Sequence, residues 1–305
     1  MIALVHQLRL EADGVVSVRL TDPDGGPLPP WRPGAHVGIE LPTGLIRQYS
    51  LCGSPKDLGG YRIAVLRERR SRGGSEYVHS FLRPGQKLRI GQPRNNFPLV
   101  DADRHLFIAG GIGITPILPM INQLGRRPWR LAYCGRTSGS LAFQDELSVH
   151  NGHSELFTDG NRLSLKKLLA EPRTDTAVYA CGPESLLAGV EDAMRDWPTE
   201  ALHVERFAAR PKPARPNHEF EVVCARSDRT LTVPADRTVL EVLQDNGIPV
   251  EGACREGICG TCQVRVLGGR PDHRDDILSE AEQQAGDRMF PCVSRCAGPR
   301  LTLDV

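Results

Sequence analysis

The sequence predicts a multidomain protein of mixed β and α/β class: an antiparallel β-barrel, a parallel α/β domain and a small C-terminal module. Three observations predict it. Short alternating apolar stretches broken by Gly and Pro give way, near residues 101–104, to buried apolar strands that alternate with helical stretches. The run "RPKPARPN" at 210–217 cannot lie inside a helix or a central strand, and it reads as an extended, semi-rigid spacer. Beyond it, "ACREGICGTCQVRV" (253–266) crowds three cysteines into loop-like sequence. The expected boundaries are therefore 1–103, 104–209, a linker at 210–217, and 218–305.

Each element follows from its residues. "GVVSVRL" (14–20), "HVGIEL" (36–41), "YRIAVLRE" (61–68) and "KLRIG" (87–91) have the length and alternation of barrel strands. "HLFIAGG" (105–111), "WRLAYCG" (129–135) and "DTAVYACG" (175–182) read as buried parallel strands. "ITPILPMINQLG" and "LSLKKLLA" are the helices between them. In the last module "EFEVVCA" and "RTLTVP" suggest a hairpin, and "TVLEVLQDNG" a helix stopped by Gly247. "CQVRVLGG" is a strand, "SEAEQQAG" opens on a capping box from Ser279 to Glu282, and "RLTLDV" is a further strand.

Composition narrows the class. A net charge of +1 gives no reason to expect nucleic-acid binding. No apolar run approaches the roughly 18 residues of a membrane span. The start "MIALVHQLRLEADG" lacks the organisation of a signal peptide, so a cytoplasmic location is expected. Nine cysteines, an odd number, argue against a disulfide framework. Residues 218–305 carry ten basic and fifteen acidic side chains, against 28 and 22 in the rest. That split suits separate modules, or else scatter of surface charge.

Two motifs carry chemistry. Cys254, Cys259, Cys262 and Cys292 have the spacing C-x4-C-x2-C-x29-C, that of a plant-type 2Fe–2S cluster. Glycines between them let backbone N–H groups approach the sulfurs without side-chain clash. A zinc site, which usually offers two close Cys pairs, and a set of reduced thiols are the alternatives. Cys296 competes with Cys292 for the fourth position. In "FIAGGIGITPI" (107–117), Gly110, Gly111 and Gly113 would let backbone approach a pyrophosphate at a helix N-terminus. The pattern departs from G-x-G-x-x-G, and a structural turn is the alternative.

At these residues a resemblance emerges. "CREGICGTC", with "PCVSR" around Cys292, resembles the plant-type ferredoxins and implies a β-grasp domain over 218–305. "RQYSLCGSP" (47–55), "SRGGS" (71–75), the glycine loop and "YACGPESL" (179–186) stand in the order of the ferredoxin–NADP reductase superfamily: flavin-binding barrel, then nicotinamide-binding domain. That resemblance implies that Arg47 pairs with the flavin phosphate, with Gln48 beside it. Tyr49 would pack on the ring and Ser50 reach its N5 edge. Backbone at Ala64 and Val65 would meet the pyrimidine end, and Gly73, Gly74 and Ser75 would hold the phosphate. Gly110, Gly111, Gly113 and Thr115 would bind the dinucleotide, Arg136 its ribose or phosphate, and Cys181, Gly182 and Pro183 the nicotinamide. Phe207 would sit near the flavin. Ser50 and Cys181 would be the residues at the reacting atoms, positioning rather than forming covalent intermediates.

The whole domain order resembles the phthalate dioxygenase reductase and vanillate demethylase reductase family. It implies FMN, NADH and a 2Fe–2S cluster. It also implies a monomeric reductase without membrane or nucleic-acid partners. Its acceptor would be the terminal component of an oxygenase, a Rieske non-haem iron enzyme, with a haem mono-oxygenase as the second choice. A cluster-based redox sensor is the reading from another class, and the full flavin and nicotinamide set weighs against it.

Overall fold

A computed structural model describes residues 1–69, 71–150, 152–213 and 215–305. Its contacts divide the chain into two compact units, Met1–Arg206 and Phe207–Val305.

The first unit holds two sheets. β1 (Ile2–Ala12), β2 (Val15–Thr21), β3 (Ala35–Glu40), β4 (Ile46–Ser50), β5 (Tyr61–Leu66), β6 (Lys87–Ile90) and β7 (Arg94–Asn95) pair antiparallel, and α1 (Gly74–Ser80) lies between β5 and β6 in the chain. The order is β4-β3-β6-β1-β2-β5, with β7 beside β3. A bridge between Leu51 and Ile63 brings the end of β4 to β5 and closes the sheet into a barrel. Alternate residues such as Val18, Leu20, Val37, Ile39 and Ile63 fill the interior, as the period-two pattern requires.

The second sheet of this unit is parallel. It comprises β8 (Arg104–Gly110), β9 (Trp129–Cys134), β10 (Ser154–Phe157), β11 (Thr176–Cys181) and β12 (Leu202–Glu205), in the order β10-β9-β8-β11-β12. The connections contain α2 (Ile114–Leu124), α3 (Gln144–Ser148), α4 (Leu165–Leu168) and α5 (Glu184–Ala193). Phe107 and Ala109 of β8 pack with α2 in one core cluster, while Leu106 and Ile108 pack with α5 in another. Burial on both faces explains why β8 reads as an unbroken apolar run. The barrel is fastened to this half by Arg62, whose guanidinium meets both oxygens of Glu146 at 2.6 and 2.8 Å over the ring of Phe143.

The second unit has the sheet order β14-β13-β19-β15-β17. Its members are β13 (Phe220–Cys224), β14 (Arg229–Val233), β15 (Val264–Gly268), β17 (Arg288–Met289) and β19 (Arg300–Leu303), while β16 (Pro271–Asp272) pairs with β18 (Arg295–Cys296). β19 runs parallel to β13, and the other pairs in the sheet are antiparallel. α6 (Val239–Asp245) buries Val239, Leu240, Val242 and Leu243 in the core. Thr238 and Glu241 close a capping box at its start, and Gly247 at φ 74° follows its end. The expected box from Ser279 to Glu282 opens α7 (Glu280–Ala285). This hairpin, helix and inserted parallel strand form a β-grasp fold. Among the described residues, no helix is long and apolar enough to cross a membrane.

Candidate functional site

On the barrel, residues far apart in sequence converge. The Arg47 side chain lies along the turn before α1 and donates to the carbonyls of Ile46 and Arg72 at 3.0 and 3.2 Å. A Cβ on Gly74 would stand 2.8 Å from Arg47 Cγ, so glycine there admits the arginine stem. Gly73, at φ 93°, turns the chain into α1. Ser75 is held by the Ser71 hydroxyl at 3.0 Å and accepts the Glu68 N–H at 3.2 Å. Tyr49 packs against the barrel core, and burial pushes its phenol up to about 12. Gln48 lies over Gly38, its cross-strand neighbour. Ala64 and Val65 are buried on β5, and the Val65 carbonyl lies 2.9 Å from His79 Nε2.

In the parallel sheet, the chain leaves β8 toward β9 and β10, then returns to β11 and β12 on the other side. β8 and β11 therefore flank a topological switch point, the place where such sheets bind ligands at their strand ends. The two loops there touch backbone to backbone. A Cβ on Gly113 would fall 2.2 Å from the Cys181 carbonyl oxygen, and one on Gly182 2.9 Å from Gly110 Cα. A Cβ on Gly110 would meet Pro183 Cδ at 2.7 Å. Gly111, at φ 53°, faces open space. Thr115 is buried and donates to the Ile112 carbonyl at 2.9 Å, so its hydroxyl holds the loop's shape. Arg136 is exposed just beyond β9. Phe207 is exposed at the start of the second unit.

One residue at this place was not expected. Glu205 ends β12 opposite Cys181 on β11, and its carboxylate accepts the Ser50 hydroxyl at 3.2 Å. Ser50, Cys181 and Glu205 thus bring β4, β11 and β12 to one place. Burial raises the Glu205 carboxyl to about 8, and the Ser50 hydrogen bond partly offsets this. Burial and the Glu205 charge both raise the Cys181 thiol, so it stays neutral and is no nucleophile. A lone carboxylate in "LHVE" has no spacing to betray it. The available signal was its position at the carboxyl end of a parallel strand.

Between its ordinary 4.5 and about 8, Glu205 keeps in the folded protein a proton that the unfolded chain has released. Stability of flavin-free protein should therefore fall as pH rises through that window. Glu205→Gln should flatten the dependence by several degrees in thermal melts from pH 5 to 9; an equally steep slope in both proteins would assign it to another group.

In the second unit the four thiols form two pairs. Cys259 is held down by its hydrogen bond with Cys254, and Cys262 by that with Cys292; each partner is pushed up. Backbone N–H groups of Glu256, Ile258, Thr261 and Gly257 reach the sulfurs. Gly257 combines φ 71° with a Cβ position 2.6 Å from Val293 Cγ2, so only glycine fits. Cys296 turns elsewhere: its sulfur accepts the Gly298 N–H at 3.3 Å. Among the described residues, no three or more His, Cys, Asp or Glu side chains converge as the ligands of one ion would. Two close pairs fit a dinuclear cluster with two thiolates per iron.

Comparisons with known proteins agree. Residues 222–297 match the 2Fe-2S iron-sulfur cluster binding domain. The chain is 42% identical to vanillate O-demethylase oxidoreductase of Pseudomonas sp. (strain HR199 / DSM 7063), over 99% of each. Among solved structures it is similar to phthalate dioxygenase reductase, with 35% identity, a TM-score of 0.72, and 100% and 98% of the two chains covered. It is also similar to part of an intact type IV self-sufficient cytochrome P450 monooxygenase, with 41% identity and a TM-score of 0.94. It covers 41% of that P450 chain. By its fold, its paired thiols and its full-length relatives, the chain belongs to the family of vanillate O-demethylase oxidoreductase and phthalate dioxygenase reductase, flavin- and iron–sulfur-dependent oxidoreductases.

Proposed function

We propose that this chain carries electrons from NADH to the terminal component of a Rieske non-haem iron oxygenase. FMN would be held on the barrel, and a 2Fe–2S cluster by Cys254, Cys259, Cys262 and Cys292. When bound, flavin and cluster together turn the electron pair of a hydride into single electrons. The chain's residues do the rest. Arg47, Gly73, Gly74 and Ser75 grip the flavin phosphate, and Tyr49, Gln48 and the Ala64 and Val65 backbone seat the ring. Gly110, Gly111, Gly113 and Thr115 shape the dinucleotide loop, and Cys181, Gly182 and Pro183 seat the nicotinamide. Ser50 and Glu205 hold a proton-bearing hydrogen bond where the two pockets meet. The reading also takes the protein as a cytoplasmic monomer, which a sizing column and cell fractionation would check.

The observation that carries this reading is the meeting of Ser50 on the barrel with Cys181 and Glu205 at the switch point, in a chain that also pairs four thiols. The test is anaerobic NADH addition to purified protein, which should bleach flavin and then cluster absorption. It should also support turnover by a Rieske oxygenase. Protein that stays colourless after reconstitution with iron, sulfide and FMN would overturn the reading. The P450 similarity favours a second acceptor, a haem mono-oxygenase. Parallel assays with a P450 and a Rieske component would separate the two.

The preference for NADH has a local basis. Asp159, at φ 50° after β10, donates its N–H to the Arg136 carbonyl and accepts the Ser138 N–H at 3.3 Å. Its carboxylate, held at the Ser138 N–H, suits a ribose hydroxyl and repels a 2′-phosphate. Asp159→Ser should shrink the NADH-over-NADPH ratio of kcat/KM about tenfold, or ~1.4 kcal/mol. An unchanged ratio would place the discrimination elsewhere.

A further inference from the structure

We propose that Asp276 is a positioning residue for the step between flavin and cluster: it locks the proline-rich stretch onto the second unit, leaving residues 207–209 as the tether. This rests on the reading above and adds how the electron is delivered.

The stretch 210–217, expected as the spacer, is held along its described length; Ala214 lies outside the described residues. The Asp276 side chain is 1% exposed and takes three donors from this stretch. They are the Arg210 N–H at 3.0 Å, Arg210 Nε at 2.9 Å and Lys212 Nζ at 2.9 Å. Lys212 Nζ also donates to the carbonyls of Arg274 and Asp275, each at 2.7 Å. Further along, Arg215 pairs with Asp272 at 2.8 Å, and Asn217 accepts from Arg274 at 2.7 Å. Three prolines stiffen the stretch, so few contacts suffice to hold it. A nearly buried carboxylate with three charge-assisted bonds is a firm anchor.

The other end is anchored as well. Arg206, the last residue of the first unit, has a side chain 7% exposed. It meets Glu184 at 3.1 Å and Glu191 at 2.7 Å, both on α5. Between the two anchors stand only Phe207, Ala208 and Ala209. Four virtual bonds of 3.8 Å limit their span to about 15 Å. The Asp276 N–H also donates to the Gly257 carbonyl at 3.0 Å, so the anchor is joined to the cysteine loop.

With both groups bound, the reduced flavin would lose one electron and the cluster would gain it. The rate of that transfer depends on how often the cluster comes within reach. Releasing Arg210 and Lys212 would lengthen the free chain from three residues to about eight, up to the pair of Arg215 with Asp272. Effective concentration falls roughly as the −3/2 power of length, about fourfold here.

The experiment uses the holoprotein with Asp276→Ala and Lys212→Ala combined, since Lys212 would otherwise keep its two carbonyl acceptors. Stopped-flow mixing with NADH should show flavin reduction at the native rate and cluster reduction slowed about fourfold. Hydrogen exchange at the Arg210 amide should be slow in the native protein and fast in the variant. A second variant, with Gly-Ser inserted between Ala208 and Ala209, should slow cluster reduction while Arg210 stays protected. That variant decides the matter if the double variant loses its cluster. Fast native exchange at Arg210, or cluster reduction unchanged in the insertion variant, would overturn the proposal. Native flavin left oxidised by NADH would instead overturn the proposed function, and the exchange readout does not depend on it.

Discussion

Replacing Cys259 by serine is expected to abolish the visible absorption of the cluster and bring oxygenase-coupled turnover to background. NADH oxidation with ferricyanide should stay within about twofold of native, since flavin chemistry needs only the first unit's elements. The Cys259 thiol is held below its usual range, chiefly by its hydrogen bond with Cys254. Soft iron sites select a thiolate over the hard alkoxide that serine would supply. The second unit has its own core, so loss of one sulfur leaves the barrel and parallel sheet intact. Absorption, paramagnetic resonance of the reduced protein and the two assays check this. Loss of both activities in a folded variant would show that the units are not separable.

Gly113→Ala is expected to lower NADH oxidation about a hundredfold while flavin content stays native. The added methyl would stand 2.2 Å from the Cys181 carbonyl oxygen, 2.5 Å from its carbon and 2.8 Å from the Gly182 nitrogen. All three are backbone atoms and cannot rotate away, so the two loops must part by about an ångström. Misplacement on that scale costs roughly 10²-fold where hydride donor and acceptor must touch. Overpacking should also cost ~1–3 kcal/mol of stability. Gly111→Ala is the contrast: its Cβ meets nothing within 4 Å, and only the positive φ is strained. Steady-state rates with NADH and thermal melts of both variants check the pair. A native rate in Gly113→Ala would show that the loop contact does not govern nicotinamide placement.

The sequence was legible where the signal is local. β8 could be read because both its faces are buried, and α6 because its cap, apolar stripe and stopping glycine follow one another. Cysteine spacing singled out four thiols, but which of them pair depends on the return of Cys292 to Cys262, set by packing far along the chain. Arg47 over Gly74 was likewise out of reach, for nothing in either motif states that they touch. Glu205 was missed because one carboxylate in a strand looks like any solvated one until its neighbours are placed. The proline run was readable as extended chain, yet its partners Asp272 and Asp276 lie some sixty residues on.

The parallel pairing of β13 with β19 has a consequence for biosynthesis. The ribosome makes β19 after every other strand of this unit, yet it occupies an interior place in the sheet, between β13 and β15. Nascent chain therefore carries its cysteines in an unfinished domain until β19 has been made, open to oxidants and to the wrong metals. Iron–sulfur loading in the cell is then expected after that closing strand, and a nonsense mutation removing it would yield a polypeptide with all four thiols and an unfinished sheet.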